Sequence, residues 1–363
     1  MDMDTITSTI DFHRKNPDMS LEQHVRNKRV QLGIEVKNRF RVYLDLRFWI
    51  FLRDVELGRN DNQELIKLLD RIKFLVDEGL VICPISETVF IELMKQSDHE
   101  TRLATARLID RLSLGVTLVV NPERISQELC NTIYSLAGAE DLIPIDELVW
   151  IKLCYIFGEN HPHQTPFGPS EELVIQKSLF DHMWNTTITE MMDYLDFESW
   201  EQPNWQGTAD RLNLGNKEHA DEIRSYKQAY RIEFEGGLSL FKEEMLQLFK
   251  EVDNRGYKEL GANSEDLSNQ ERFSRFSKSV RTLHIGACCH AAVRWDQKRQ
   301  LTGNDLLDFH HAEAAIGYCD LFLTEKPLKS LVSQNHLGLR VDFPCVIESS
   351  AAGGLRVIDA KNG

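Results

Sequence analysis

Phe40-Arg41-Val42-Tyr43-Leu44-Asp45 decides the reading of this chain. A short apolar run ends abruptly in a carboxylate, and Phe48-Trp49-Ile50-Phe51-Leu52 follows at once. An aspartate between two apolar stretches marks the end of a buried strand rather than a solvated turn. The pattern recurs three times further on. Leu80-Val-Ile-Cys-Pro-Ile is followed by Ser86 and a helix carrying Glu92. Asn304-Asp305-Leu-Leu-Asp308-Phe-His-His opens a helix, and Leu321-Phe-Leu-Thr324 runs into Glu325. In open α/β sheets, ligands bind beyond the carboxyl ends of the strands. Carboxylates gathered there repel one another and raise each other's pKa. A hard divalent cation, which oxygen ligands suit, relieves that repulsion.

Between these points the chain alternates strand and helix signals. Leu65, Ile66, Leu68, Leu69, Ile72, Leu75 and Val76 form a helical stripe, a further helix is expected from about Glu100 to Leu112, and Gly115 to Val120 reads as a third strand. From about 125 to 300 the alternation stops, and helices with aromatic joins at Trp150, Trp184, Trp200 and Trp205 are expected, with a polar loop over 201–220. It resumes with a helix from Asn304 or Asp305, strand 321–324, a helix near Leu328–Gln334 and a strand over 339–343. Strands joined by helices imply parallel pairing. The expected architecture is one α/β domain, a parallel sheet flanked by helices, interrupted by a large helical insertion. Its parts are a helical extension over 1–37, the α/β domain over 38–125 and 300–345, the insertion over 126–299, and a C-terminal tail over 346–363. The sheet should contain 42–45, 80–84, 116–120 and 321–324, with 339–343 at an edge.

With motifs in this order, the chain resembles the PIN-domain family of metal-dependent nucleases. The resemblance rests on a strand ending in Asp45, on Ser86 followed by Glu92-Leu93, and on Asp308 opening a small-residue helix that leads to Thr324. It covers a little over a third of the chain and implies the PIN-like fold. It also implies hydrolysis of phosphodiester bonds, in RNA more than DNA, with Asp45, Glu92 and Asp308 holding Mg²⁺ or Mn²⁺. Glu325 is the nearest substitute for the family's fourth acidic residue, whose place is taken by Lys326. Asp320 is a weaker substitute because it begins the strand. Arg47 stands where a small polar residue is common. Ser86, His311 and Thr324 are expected to support the carboxylates. Asp305 suits a helix cap better than a ligand.

The formal charge is −15 and the sequence pI about 5.3, so a basic coat for nucleic acid is excluded, though a local groove is not. Two basic stretches could line one. The first holds Arg26, Lys28, Arg29, Lys37, Arg39, Arg41 and Arg47; the second holds Arg272, Arg275, Lys278, Arg281, Arg294, Lys298 and Arg299, with Phe273, Phe276 and Trp295 interleaved. Arg47, Arg275, Lys278, Arg281 and Lys326 are the expected phosphate contacts. His161 and His163 find no third ligand at suitable spacing. Seven cysteines without CxxC spacing, the lack of a signal sequence and the lack of a membrane span point to a reducing cytoplasm. A non-catalytic module of the same fold is the rival reading, with the insertion serving a protein partner or a homo-oligomer.

Overall fold

The computed structural model describes residues 3–159, 161–163, 165–192, 203–257 and 270–362. Val42, Tyr43 and Leu44 lie in strand β1 (Phe40–Leu44) and are wholly buried. A strand covered by helices on both faces needs an apolar run, and β1 supplies one over Val42, Tyr43 and Leu44. Its two neighbours are β2 (Val81–Ile82) and β5 (Leu321–Leu323), and β6 (Val346–Glu348) lies beyond β5. All three pairings are parallel, with Val42 opposite Leu321 and Leu44 opposite Leu323.

Chain order explains how the remaining elements are laid over this sheet. Helices α1 (Met3–Lys15) and α2 (Leu21–Lys37) precede β1. Helices α3 (Leu46–Glu56) and α4 (Gln63–Asp77) lead to β2, and α5 (Glu87–Met94) and α6 (His99–Ser113) follow it. Strand β3 (Val116–Leu118) touches the main sheet through a single parallel bridge between Ile85 and Thr117. It pairs antiparallel with β4 (Trp150–Lys152) after helix α7 (Asn121–Leu136). The expected place of 116–120 in the parallel sheet is therefore corrected. Trp150, read as a helical join, belongs to this second sheet, whose strands are too short to show a period.

The region beyond is mainly helical: α8 (Pro169–Met183), α9 (Ile188–Met192), α10 (Trp205–Glu218), α11 (Tyr226–Ser239), α12 (Lys242–Asn254), α13 (Gln270–Ser279) and α14 (Arg281–Trp295). Trp200 lies outside the described residues. The polar stretch from Trp205 onward is helix, not loop; Asn204 caps it by accepting from the Gly207 N–H. Ile125, Leu129, Ile133, Phe234, Val252, Phe273 and Phe276 form a core of their own. Helix α14 joins it to the main core through Ile285, Cys289 and Val293.

The chain returns to the sheet through α15 (Gly303–Tyr318), β5, α16 (Lys326–Val332), α17 (Leu339–Asp342), β6 and α18 (Ala351–Asn362). Two expectations fail here. Residues 339–342 are a short helix, and the edge strand is Val346–Glu348. The presumed tail packs as α18, with Ile358 wholly buried. Gly353 and Gly354, within that expected tail, are close-packing residues. A Cβ at Gly354 would come within 2.8 Å of Leu323 Cδ2 on β5. All seven cysteines are unpaired, and among the described residues no helix is long and apolar enough to cross a membrane.

Candidate functional site

Short strand-to-helix connections place the acidic side chains. Leu44 ends β1 and Leu46 opens α3, so Asp45 is the whole connection. It is only 5 % exposed, and its Oδ1 caps α3 by accepting from the Phe48 N–H at 3.1 Å. Thr324 and Glu325 are the corresponding join between β5 and α16. Helix α15 runs back towards the start of β5. At 1.5 Å per residue, Asp308 lies about 15 Å before its end, level with the carboxyl edge of the sheet. Glu92 approaches from α5, after β2. Asp305, not Asp308, makes the capping box of α15 with Thr302, and Asp320 at the far end of β5 is held by Arg41.

Electrostatics tie these groups together. Burial drives the Asp308 carboxyl up to about 7; His311 opposes this, while Asp45, Glu325 and Glu92 push it further. Burial likewise lifts Asp45 to about 6, against the pull of His311, the Phe48 N–H and Thr324, with Glu325 adding to the rise. Three carboxylates act on the fourth, so all four share one neighbourhood. They do not form one tight shell. Among the described residues, the group of three acidic, histidine or cysteine side chains whose ligand atoms all lie within 4.8 Å of one another is elsewhere, at His13, His24 and Asp181. Mg²⁺ keeps several waters and takes one or two carboxylates directly, which suits looser spacing. Thr324 is buried beside Asp45, and its hydroxyl favours the Asp45 carboxylate.

A buried chain of hydrogen bonds sets Glu92. His311, three residues after Asp308 and 2 % exposed, pairs through Nε2 with Glu92 Oε2 at 2.8 Å. Its Nδ1 meets the Tyr43 hydroxyl at 2.8 Å, and that hydroxyl meets Ser86 Oγ at 2.6 Å. Ser86 starts α5 without capping it, because its hydroxyl is committed to Tyr43. Burial disfavours the imidazolium of His311, but Glu92, Asp45 and Asp308 outweigh it and raise the pKa. The sequence reading missed Tyr43 as a polar participant. A tyrosine amid aliphatic strand residues needs a partner when buried, and that was the available signal.

A second buried network lies behind the first and was also missed. Asn121 donates its backbone N–H to Glu87 and its side chain to Glu313. Glu128 accepts from the backbone and hydroxyl of Thr282 and from Tyr318. Arg124 is wholly buried among them. Burial lifts Glu313 up to about 8 in spite of Arg124. Glu87 and Glu313 sit on the same helices as Glu92 and Asp308, so this network fixes how α5 and α15 face each other.

The basic stretches are mostly engaged within the fold. Arg281 pairs with Asp146 at 2.6 Å, donates to the Gly317 carbonyl and lies over the Tyr318 ring. Lys278 holds Asp342 at 2.6 Å. Arg29, Arg41, Arg294 and Arg299 also make ion pairs. Arg47 pairs with Glu325 at 3.2 Å and stacks on Phe51. Arg275 and Lys326 are exposed. A cation not foreseen is Lys95. It is exposed, one helical turn past Glu92, and borders a cavity of about 330 Å³ that also reaches Leu307, next to Asp308. Comparison of the chain with models of known families, with curated proteins and with solved structures found no match.

Proposed function

We propose that this chain is a PIN-like metal-dependent nuclease that hydrolyses phosphodiester bonds, in RNA in preference to DNA. The observation that carries the reading is the gathering of Asp45, Glu92, Asp308 and Glu325 at the carboxyl ends of β1, β2 and β5, where burial first and then mutual repulsion push the Asp308 carboxyl up to about 7. Evolved sites keep such strain where a ligand relieves it. Asp45 and Asp308 would bind Mg²⁺ or Mn²⁺, with Glu92 and Glu325 contributing directly or through water. When bound, the ion supplies Lewis acidity towards the phosphodiester and its attacking water. Tyr43 and His311 orient Glu92, and the Thr324 hydroxyl lies beside Asp45. Lys95 borders the cavity that reaches Leu307 and would meet a phosphate of the strand.

Two observations favour a binding module without catalysis. Arg47 occupies Glu325, and most of the basic stretch around 272–299 is spent on internal ion pairs. Cleavage of labelled single-stranded RNA and DNA with Mn²⁺ separates the two readings. The nuclease reading expects RNA to be cut by the wild type and not by Asp45→Asn. Intact substrate with the wild type, or equal cutting by both, rejects it.

A further inference from the structure

Apart from the acidic cluster, three helices bring two imidazoles and a carboxylate to one point. His13 of α1 is 1 % exposed, and its Nε2 lies 2.9 Å from Asp181 Oδ2 of α8. His24 of α2 is also buried, and its Nε2 lies 2.8 Å from Asp181 Oδ1. The two rings meet edge to face at 4.8 Å, with Phe180 packed against His24. A ligand atom from each of the three residues lies within 4.8 Å of the other two. Residues from α1, α2 and α8 thus converge on one carboxylate.

We propose that His13, His24 and Asp181 bind a zinc-class divalent cation. The donor set argues for that class. Two imidazole nitrogens and one carboxylate oxygen suit Zn²⁺ or Co²⁺, whereas Mg²⁺ and Mn²⁺ prefer the all-oxygen cluster at the strand ends. Three protein ligands leave a fourth position for water or another donor. Lys28 is the counter-argument that the structure itself supplies. Its ammonium sits 3.2 Å from Asp181 Oδ1 and gives the carboxylate a cation already. Lys28 is partly exposed and its head can move to solvent, whereas the imidazoles are fixed by burial. The ammonium and the divalent ion therefore compete for one carboxylate, and that competition is measurable.

The test uses the metal-free, untagged full chain titrated with Co²⁺, whose visible bands report a tetrahedral nitrogen and oxygen site. Glutamine keeps an N–H for Asp181 while removing the imidazole. His13→Gln and His24→Gln should each weaken Co²⁺ binding by roughly tenfold or more and lose the bands. Asp308→Asn should keep them, which separates this site from the acidic cluster. Lys28→Met should bind Co²⁺ several-fold more tightly than the wild type, and Zn²⁺ should displace Co²⁺ from both. Far-UV circular dichroism checks that the glutamine variants are folded. If a variant is not folded, the comparison of Lys28→Met with wild type decides. No visible bands in the wild type, bands surviving in folded glutamine variants, or unchanged affinity in Lys28→Met would show a hydrogen-bonded clamp and overturn the proposal.

Discussion

Replacing Asp308 by asparagine should stabilise the metal-free protein at neutral and alkaline pH, although it removes a residue proposed to be essential. The carboxyl is shifted from 3.8 to about 7, first by burial and then by Asp45, Glu325 and Glu92. Because the folded-state pKa is raised above the unfolded one, its contribution to stability is fully present below about pH 4 and is lost as pH rises through about 7. At roughly 1.4 kcal/mol per tenfold, the ceiling on that loss is about 4 kcal/mol. Asparagine recovers part of it, since it also forfeits the attraction of His311 and brings an amide that needs partners. About 2 kcal/mol, or roughly 3 °C in melting temperature for a chain of this length, is the expected gain near pH 8. Near pH 4 the variant and wild type should melt together. With Mn²⁺ the order reverses: an ion at 100 times its Kd adds about 2.7 kcal/mol to the wild type and little to the variant. Asp305→Asn is the control. It disrupts a capping box, costs about 1 kcal/mol and leaves the Mn²⁺ response intact. Calorimetric melting of the three proteins near pH 4 and pH 8, with and without Mn²⁺, provides the measurement. If Asp308→Asn melts below wild type near pH 8 and responds normally to Mn²⁺, the electrostatic account of the cluster is wrong.

Tyr43→Phe should cost about 1–3 kcal/mol in chemical denaturation, because it leaves Ser86 and His311 without their shared partner; an unchanged midpoint would show the hydrogen-bonded chain to be dispensable. Gly33→Ala should destabilise by about 1–3 kcal/mol, since its Cβ would collide with the backbone of Glu147, whereas Gly236→Ala, exposed on α11 with open space around it, should stabilise by about 0.4–1 kcal/mol. Melting temperatures of the two variants check the pair. In a salt series on single-stranded RNA, Lys95→Glu and Arg275→Glu should weaken binding and flatten the salt slope by about 0.7 or more per cation removed, while Arg281→Glu should chiefly lower the melting temperature by breaking the contact with Asp146. Equal effects of all three on affinity would contradict the assignment of Arg281 to the fold.

The parts of the fold legible in the sequence were those written in runs long enough to carry a period. The strand ending at Asp45 and the helical stripe from Leu65 to Val76 were readable because each buries a continuous apolar face. The pairing of Trp150–Lys152 with Val116–Leu118 was not, since three residues per strand fit a helix as well as a sheet. The segment with Gly353-Gly354 read as a tail because glycine carries no apolar signal, and only the neighbouring strand shows that it serves close contact. At the site, the carboxylates announced themselves by sitting where charge is costly. The chain from Ser86 through Tyr43 and His311 to Glu92 joins residues far apart in sequence, so no spacing rule points to it. The basic stretches looked available for phosphate because their acidic partners, Asp146, Asp342 and Glu233, come from distant segments.

A crystal soaked in Mn²⁺ and measured for its anomalous signal tests the central claim most directly. The account predicts an ion beside the carboxyl ends of β1 and β5, with an oxygen of Asp45 or Asp308 about 2.0–2.6 Å from it, the range for hard-cation ligands. Absence of any peak there at saturating Mn²⁺, or a peak at His13, His24 and Asp181 alone, would contradict it.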